Sequence, residues 1–106
     1  MSENSSFDIM QQVVACRIFN QAHEHAKIAE SYLKLSETDG NPEQNIRLAR
    51  MSLSWANVLY GSALKFENIS PKLKFKIEHN WKGLYMNFRH ADKKLKNVRA
   101  VQPQLR

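Results

Sequence analysis

Residues 77–98 read IEHNWKGLYMNFRHADKKLKNV, and the apolar side chains in this stretch recur at alternating intervals of four and three residues. These positions are Ile77, Trp81, Leu84, Phe88, Ala91, Leu95 and Val98. Such spacing places side chains on one face of an α-helix and is typical of helix–helix packing. The stretch therefore predicts a long helix that packs against the rest of the chain or, as a coiled coil, against a second chain.

The third helix is expected to begin at Ser70-Pro71 and to continue to about Ala100, because a capping serine followed by proline is a common helix start. Residues Lys72–Ile77 alternate between polar and apolar, which is a strand pattern. No second alternating run is present to pair with such a strand. We therefore interpret Lys72–Ile77 as the first turns of the helix.

Two further helices precede this one. The sequence Asn41-Pro42-Glu43 offers an N-cap, a proline at the first helical position and an acid in the first turn, which predicts a second helix from there to about Glu67. The first helix is predicted to run from about Ser6 to Leu35. The connections between the three segments are short, so neighbouring helices should be antiparallel.

The predicted fold is all-α, with three long antiparallel helices that form an elongated helical bundle. The chain has 106 residues with only three glycines and three prolines, so one domain over residues 1–102 with a frayed tail at 103–106 is expected. The second helix is apolar on two sides and should be central. One side carries Ile46, Ala49, Leu53, Ala56, Tyr60 and Leu64, and the other carries Leu48, Trp55, Leu59 and Phe66. Four small residues, Ala49, Ser52, Ala56 and Ala63, would let neighbouring helices approach closely.

The first helix has a less regular apolar seam with a polar centre. This seam can be drawn through Met10, Val14, Arg17 or Ile18, Gln21, His25, Ile28, Tyr32 and Leu35. Arg17, Gln21 and His25 are four residues apart and would form a polar layer between helices. One interpretation is structural: these side chains extend to solvent, pair locally or fix the register of a dimer. The other is a small polar site between helices.

The positive charge is concentrated in the last third of the chain. Lys plus Arg is 16 and Asp plus Glu is 10, a net charge of +6, whereas residues 71–106 alone carry ten basic side chains and two acids. Lys82, Arg89 and Lys96 are seven residues apart and should form one line beside the apolar seam. Lys76, His90 and Lys93 are expected nearby.

These six residues are the candidate binding site. The leading hypothesis is a non-enzymatic binding module that presents the basic face of the third helix to a polyanion, most of all nucleic acid. The alternative is a protein-interaction regulator or inhibitor that docks on an acidic or nucleic-acid-binding surface of a larger partner. A third interpretation, a merely solvated face, stays open because no recognition motif accompanies the charge.

The segment Arg17-Ile-Phe-Asn-Gln-Ala-His23 resembles the R-x(4–6)-H signature of HEPN-type RNases, which are small helical bundles. The resemblance covers two fixed positions. It implies an RNase in which Arg17 stabilises the phosphate and His23 assists proton transfer. On an unbroken helix the two side chains would lie about 120° apart.

Several other classes are not expected from the sequence. Cys16 is the one cysteine, so the chain cannot form an internal disulfide, and we expect a buried, inert thiol. No metal-ligand spacing or glycine-rich phosphate loop is present, so neither metal nor cofactor is predicted. No apolar run approaches 18 residues and no signal peptide is evident, which favours a cytoplasmic protein without a membrane span. Incomplete cover over the second helix predicts a homodimer.

Overall fold

The computed structural model describes residues 2–38 and 40–101 and contains three α-helices in this part of the chain: α1 (Ser2–Thr38), α2 (Pro42–Ala63) and α3 (Pro71–Val101). The all-α prediction is confirmed. The molecule is elongated, with extents of 70 × 18 × 15 Å. None of the described helices is long and apolar enough to cross a bilayer. The predicted tail at 103–106 lies outside the described residues.

The helix starts that the sequence predicts for α2 and α3 are confirmed, with one change in detail. Ser70 Oγ accepts a hydrogen bond from the backbone N–H of Leu73 at 3.1 Å and so caps α3. Asn41 precedes Pro42 as expected, but its side-chain amide donates to Gln44 Oε1 at 2.7 Å instead of capping the helix. Residues Lys72–Ile77 are helical, as interpreted above.

Helix α1 is longer than predicted at both ends, because it begins at Ser2 rather than near Ser6 and ends at Thr38 rather than Leu35. The polar residues after Leu35 were expected to form a loop. Instead the Ser36 hydroxyl donates to the Leu33 carbonyl within the last helical turns, so its side chain is satisfied without leaving the helix.

Helix α2 is shorter than predicted, because it ends at Ala63 and not near Glu67. The connection that follows is held by α1. Gln11 Oε1 accepts a hydrogen bond from the N–H of Asn68 at 3.1 Å, and Gln12 Oε1 accepts one from the N–H of Ser70 at 2.9 Å. These bonds satisfy two backbone N–H groups of the connection and join it to the first half of α1.

Helix α2 is central, as predicted. It packs most closely against α1 and also against α3, whereas α1 and α3 touch at only a few places. Both neighbours are antiparallel to α2. The start of α1 lies against the connection after α2, and the end of α3 lies at the start of α2, where Arg99 pairs with Glu43 at 3.2 Å.

The contact between α1 and α2 is built on alanine. Alanines recur every seven residues on both helices, and every member of the two series is 0% exposed. They are Ala15, Ala22 and Ala29 on α1, and Ala49, Ala56 and Ala63 on α2. The ring contacts of Phe19 with Tyr60 and of His25 with Trp55 give an antiparallel register that places Ala22 opposite residues 57–58, less than one turn from Ala56. Small side chains at every second turn allow the two backbones to approach closely.

The centre of the buried face of α1 lies one residue from the predicted apolar seam, although two members of that seam, Ile18 and Tyr32, pack against the core. The buried residues of α1 are Ala15, Ala22, Ala29 and Leu33, each one position after a member of the predicted seam. One residue corresponds to a rotation of about 100°. The spacing was therefore predicted correctly, but the direction of the buried face around the helix was not. Alanine contributes little to a hydropathy pattern, although its small side chain permits the closest contact between helices.

The seam predicted for α3 packs onto the bundle. Ile77, Leu84, Ala91 and Leu95 are buried, and Phe88 and Val98 pack against the core. Trp81 lies at the edge of the seam and remains 37% exposed. Its indole N–H donates to Asn57 Oδ1 at 2.6 Å, and its ring lies beside Gly61. Trp81 therefore joins α3 to the polar side of α2.

Replacing Ala22 by leucine is expected to destabilise the fold by about 1–3 kcal/mol, because the added side chain has no room between α1 and α2. Asn20→Leu is the matched control, since Asn20 is exposed on the opposite side of the same helix. Urea unfolding followed by circular dichroism measures both. Equal unfolding midpoints for the two variants would contradict the close contact.

Replacing Gly61 by alanine is expected to stabilise the chain by about 0.5–1 kcal/mol, because glycine is a poor helix former. An added Cβ at Gly61 meets the Trp81 ring at 3.5 Å, which is ordinary contact, and one at Gly83 in α3 meets nothing within 4 Å. Gly83→Ala therefore measures the backbone gain alone. A loss of stability confined to Gly61→Ala in thermal unfolding would show that Trp81 cannot accept the methyl group.

Candidate functional site

The outer face of α3 follows from what the helix buries. Because Ile77, Leu84 and Ala91 point into the bundle, the residues on the opposite side of α3 point away from it. Lys82, Arg89 and Lys96 lie on that side and are all exposed. Seven residues advance a helix by about 10.5 Å and return within about 20° of the same direction, so the three cations form a line about 21 Å long.

Lys93 and His90 extend this line into a broader surface, which we call the basic face (Lys82, Arg89, His90, Lys93 and Lys96). Four of these residues, Arg89, His90, Lys93 and Lys96, line one shallow depression with Met86 and Asp92. Lys76 is exposed but stands apart from them. It is 13 residues from Arg89 and rotated from it by about 140°, so the fold does not bring it into the same surface.

The cations of α3 divide into two groups. Lys94 pairs with Glu37 of α1, and Arg99 pairs with Glu43 of α2, so both join α3 to its neighbours. Asp92 is paired with Arg50 of α2 at 3.2 Å. In contrast, no member of the basic face forms an ion pair with any residue that the structure describes. The charge of this face is therefore not neutralised by the fold.

Exposed apolar side chains lie among these cations, a feature that the sequence analysis missed. Phe75, Tyr85 and Met86 are 69%, 64% and 65% exposed. The Arg89 guanidinium lies over the Tyr85 ring, 5.8 Å from its centroid, and Phe75 stacks with His79. The sequence does contain a signal for this arrangement. Tyr85 and Phe75 lie four and 14 positions before Arg89, and both spacings place a residue on the same side of a helix as Arg89.

A second concave region lies between α1 and α3, where these helices scarcely touch. It is lined by His23 and Lys27 of α1, His79 and Asn80 of α3, and Tyr60 of α2, among others. Burial raises the pKa of the Tyr60 hydroxyl. His23 Nδ1 is buried and has no hydrogen-bond partner among the described residues. Sequence reasoning gave no sign of this groove, because it depends on how far α3 stands from α1.

The polar layer predicted for α1 is not buried between helices. Arg17 and Gln21 are exposed. His25 is half-buried, and its ring stacks with that of Trp55 with centroids 6.5 Å apart. The expected burial is wrong because the alanine seam, rotated by one residue, occupies the contact with α2.

The two residues of the HEPN-like segment do not meet either. Arg17 is exposed, whereas His23 faces the groove between α1 and α3. Helix α1 is unbroken between them, so their side chains are about 120° apart. Cys16 is exposed and not buried as expected. Within residues 2–38 and 40–101, no group of three or more His, Cys, Asp or Glu side chains could hold a metal ion.

Comparisons with known proteins add nothing to the site, because no family model, curated protein or solved structure matches the chain.

Replacing Lys94 by methionine is expected to raise the pKa of Glu37. The hydrogen bond from Lys94 and its positive charge, with a smaller effect of His90, hold that pKa below the ordinary value of 4.5. The contribution of the Lys94–Glu37 pair to stability is therefore fully present above the pKa that Glu37 has in the unfolded chain. It is lost as the pH falls through the lowered pKa of Glu37 in the folded chain. NMR titration of the Glu37 carboxyl carbon measures the change.

Lys93→Met is the matched control for this titration, because Lys93 is the neighbouring lysine and points to solvent without an ion pair among the described residues. An unchanged Glu37 midpoint in Lys94→Met, or an equal change in Lys93→Met, would contradict the assignment of this ion pair.

Proposed function

We propose that the chain is a non-enzymatic binding module that presents the basic face of α3 to nucleic acid. The observation that carries this proposal is the line of Lys82, Arg89 and Lys96, exposed and without ion pairs in the described part of the chain. Cations that the fold does not neutralise are available to phosphates. When such cations contact a polyanion, the polyanion releases condensed counterions. This release favours binding without any chemical step.

The spacing of the cations suits a phosphate backbone. Steps of about 10.5 Å along α3 are long enough for each cation to contact a different phosphate of one strand. Arg89 can contact a phosphate through two N–H groups at once, whereas the lysines act as point charges. Because these contacts reach the backbone and not base edges, the expected binding is largely independent of sequence.

Exposed aromatic rings favour single strands over duplexes as the bound form. Tyr85 and Phe75 lie beside the cations, and base–aromatic stacking adds to affinity only where bases are unpaired. The Arg89 guanidinium over Tyr85 extends this platform, since guanidinium planes also stack on bases.

An acidic surface of a larger protein is the second candidate partner. The observation that favours it is Met86, an exposed apolar side chain that lines the same depression as Arg89 and Lys93. Flexible apolar side chains among cations are typical of protein-binding surfaces. We further propose that the module acts as a homodimer, as the sequence predicts, which would double the number of cations presented to one polyanion.

The proposal predicts that a fluorescein-labelled single-stranded oligonucleotide binds with an affinity that falls steeply with salt. Four neutralised phosphates correspond to a logarithmic slope of about −3, or a loss of roughly 50-fold or more between 50 and 200 mM salt. Fluorescence anisotropy measures this dependence, with the duplex form of the same oligonucleotide in parallel. The combined variant Lys82→Glu, Arg89→Glu, Lys96→Glu is expected to abolish binding.

The matched control is Lys27→Glu, Lys34→Glu, Lys65→Glu, which changes the net charge equally at exposed lysines outside the basic face. It should retain most of the affinity. If both triple variants lost affinity for the oligonucleotide equally, the binding would depend on net charge alone and not on the basic face. Failure of the wild-type chain to bind either form at low salt would overturn nucleic-acid binding and leave the acidic protein surface as the candidate.

A further inference from the structure

The bundle leaves one side of the α1/α2 pair uncovered. The seam predicted for α1 contains apolar residues that the chain itself does not bury. Val14, Ile28 and Leu35 are 39%, 44% and 46% exposed. The alanine contact turns these residues away from α2, and the α1 residues that line the groove with α3, His23 and Lys27, lie on another side of the helix. They form an apolar stripe along α1.

Helix α2 contributes a second apolar stripe on the same side. Met51, Trp55 and Val58 are 60%, 59% and 56% exposed and line a shallow depression. The stacking of His25 on Trp55 shows that the stripes of α1 and α2 adjoin. We call the combined surface the open face (Val14, Ile28, Leu35, Met51, Trp55 and Val58).

The open face lies on the side of α2 away from α3. Trp81 of α3 contacts α2 through Asn57 and beside Gly61. Asn57 follows Trp55 by two residues, which is a turn of about 200° around the helix axis. The open face and the basic face therefore point in nearly opposite directions, and a partner on one leaves the other accessible.

We infer that the open face binds the open face of a second copy of this chain, an inference that rests on the homodimer proposed above and names its surface. The charge distribution selects this partner. The positive excess of the chain lies in residues 71–106, so two copies that met through α3 would repel each other. No member of the open face is charged, and the exposed cations on the same sides of the two helices are Arg17 of α1 and Arg47 of α2, of which Arg47 is paired with Glu43 at 3.1 Å. Two copies therefore meet there with less repulsion than they would through α3.

The shape of the open face also fits a twofold contact. Two antiparallel helix pairs packed face to face make a four-helix arrangement, in which each copy supplies the same surface. From Val14 to Leu35 the stripe of α1 is about 32 Å long, and from Met51 to Val58 the stripe of α2 is about 10.5 Å long, each about 9 Å wide. The resulting plan area of roughly 400 Å² is about half of the roughly 800 Å² of accessible surface that each partner buries in a standard interface, so polar side chains beside the stripes complete the contact.

Sedimentation velocity of the full chain at increasing concentration tests the inference. The wild-type chain, whose mass is 12.3 kDa, is expected to sediment as a dimer at tens of micromolar. The variant Met51→Glu, Val58→Glu is expected to weaken the dimer by at least about 100-fold, because it places carboxylates in an apolar contact. Both side chains are exposed in the single chain, so the variant should keep the helical circular dichroism and thermal unfolding of a folded monomer.

Phe75→Glu, Met86→Glu is the matched control, since these residues are as exposed as Met51 and Val58 but lie on α3. It should remain dimeric. If the dimer persists in Met51→Glu, Val58→Glu, or if it dissociates equally in the control, the open face is not the interface. The proposed homodimer itself would not be contradicted by either result. A wild-type chain that is monomeric at every concentration would overturn both, without bearing on nucleic-acid binding.

A second measurement reports on the face directly. In a Trp81→Phe variant, Trp55 is the one remaining tryptophan. Its emission should shift to shorter wavelengths and its quenching by acrylamide should fall as the concentration rises through the dimer transition. Unchanged emission across a transition that sedimentation detects would place the interface elsewhere.

Discussion

The contact of alanine against alanine between α1 and α2 is the constraint on which the rest of the structure depends. It fixes how α1 is rotated, because only the face with Ala15, Ala22 and Ala29 allows such close approach to α2. That rotation sends His23 toward α3 and His25 toward the opposite side, since the two are about 200° apart on one helix. A contact that itself contains no functional group thus decides which polar side chains meet and which face solvent.

The arrangement also decides which cations stay free. With α3 held along α2, only the residues at the borders of α3 come within reach of acids on its neighbours, as Lys94 does with Glu37 and Arg99 with Glu43. Lys82, Arg89 and Lys96, in the middle of the outer side, are beyond that reach. Exposed ion pairs add little to stability. The orientation of α3, and so the direction in which the basic face points, is set by its buried residues Ile77, Leu84, Ala91 and Leu95.

The sequence predicts the number, order and direction of the helices, because start signals and seven-residue spacing are local. It does not predict where α2 ends, because residues 64–67 contain no glycine or proline that would mark the end at Ala63. The line of cations can likewise be read from spacing alone. Lys94 is paired, whereas Lys93 has no ion pair with the residues that the structure describes. This difference depends on where Glu37 lies in space, which spacing does not give.

The alanine contact also bears on how the chain can fold. In the antiparallel register, Ala29 lies near Ala49, 20 residues further along, and Ala15 lies near Ala63, 48 residues further along. The entropy of closing a loop grows only with the logarithm of its length, so the distant pair costs about 0.8 kcal/mol more than the near one. Once the turn between α1 and α2 has formed, the two helices can therefore pair progressively from that end, with little additional entropy cost for each further contact. Helix α3 then packs onto the surface of the paired helices.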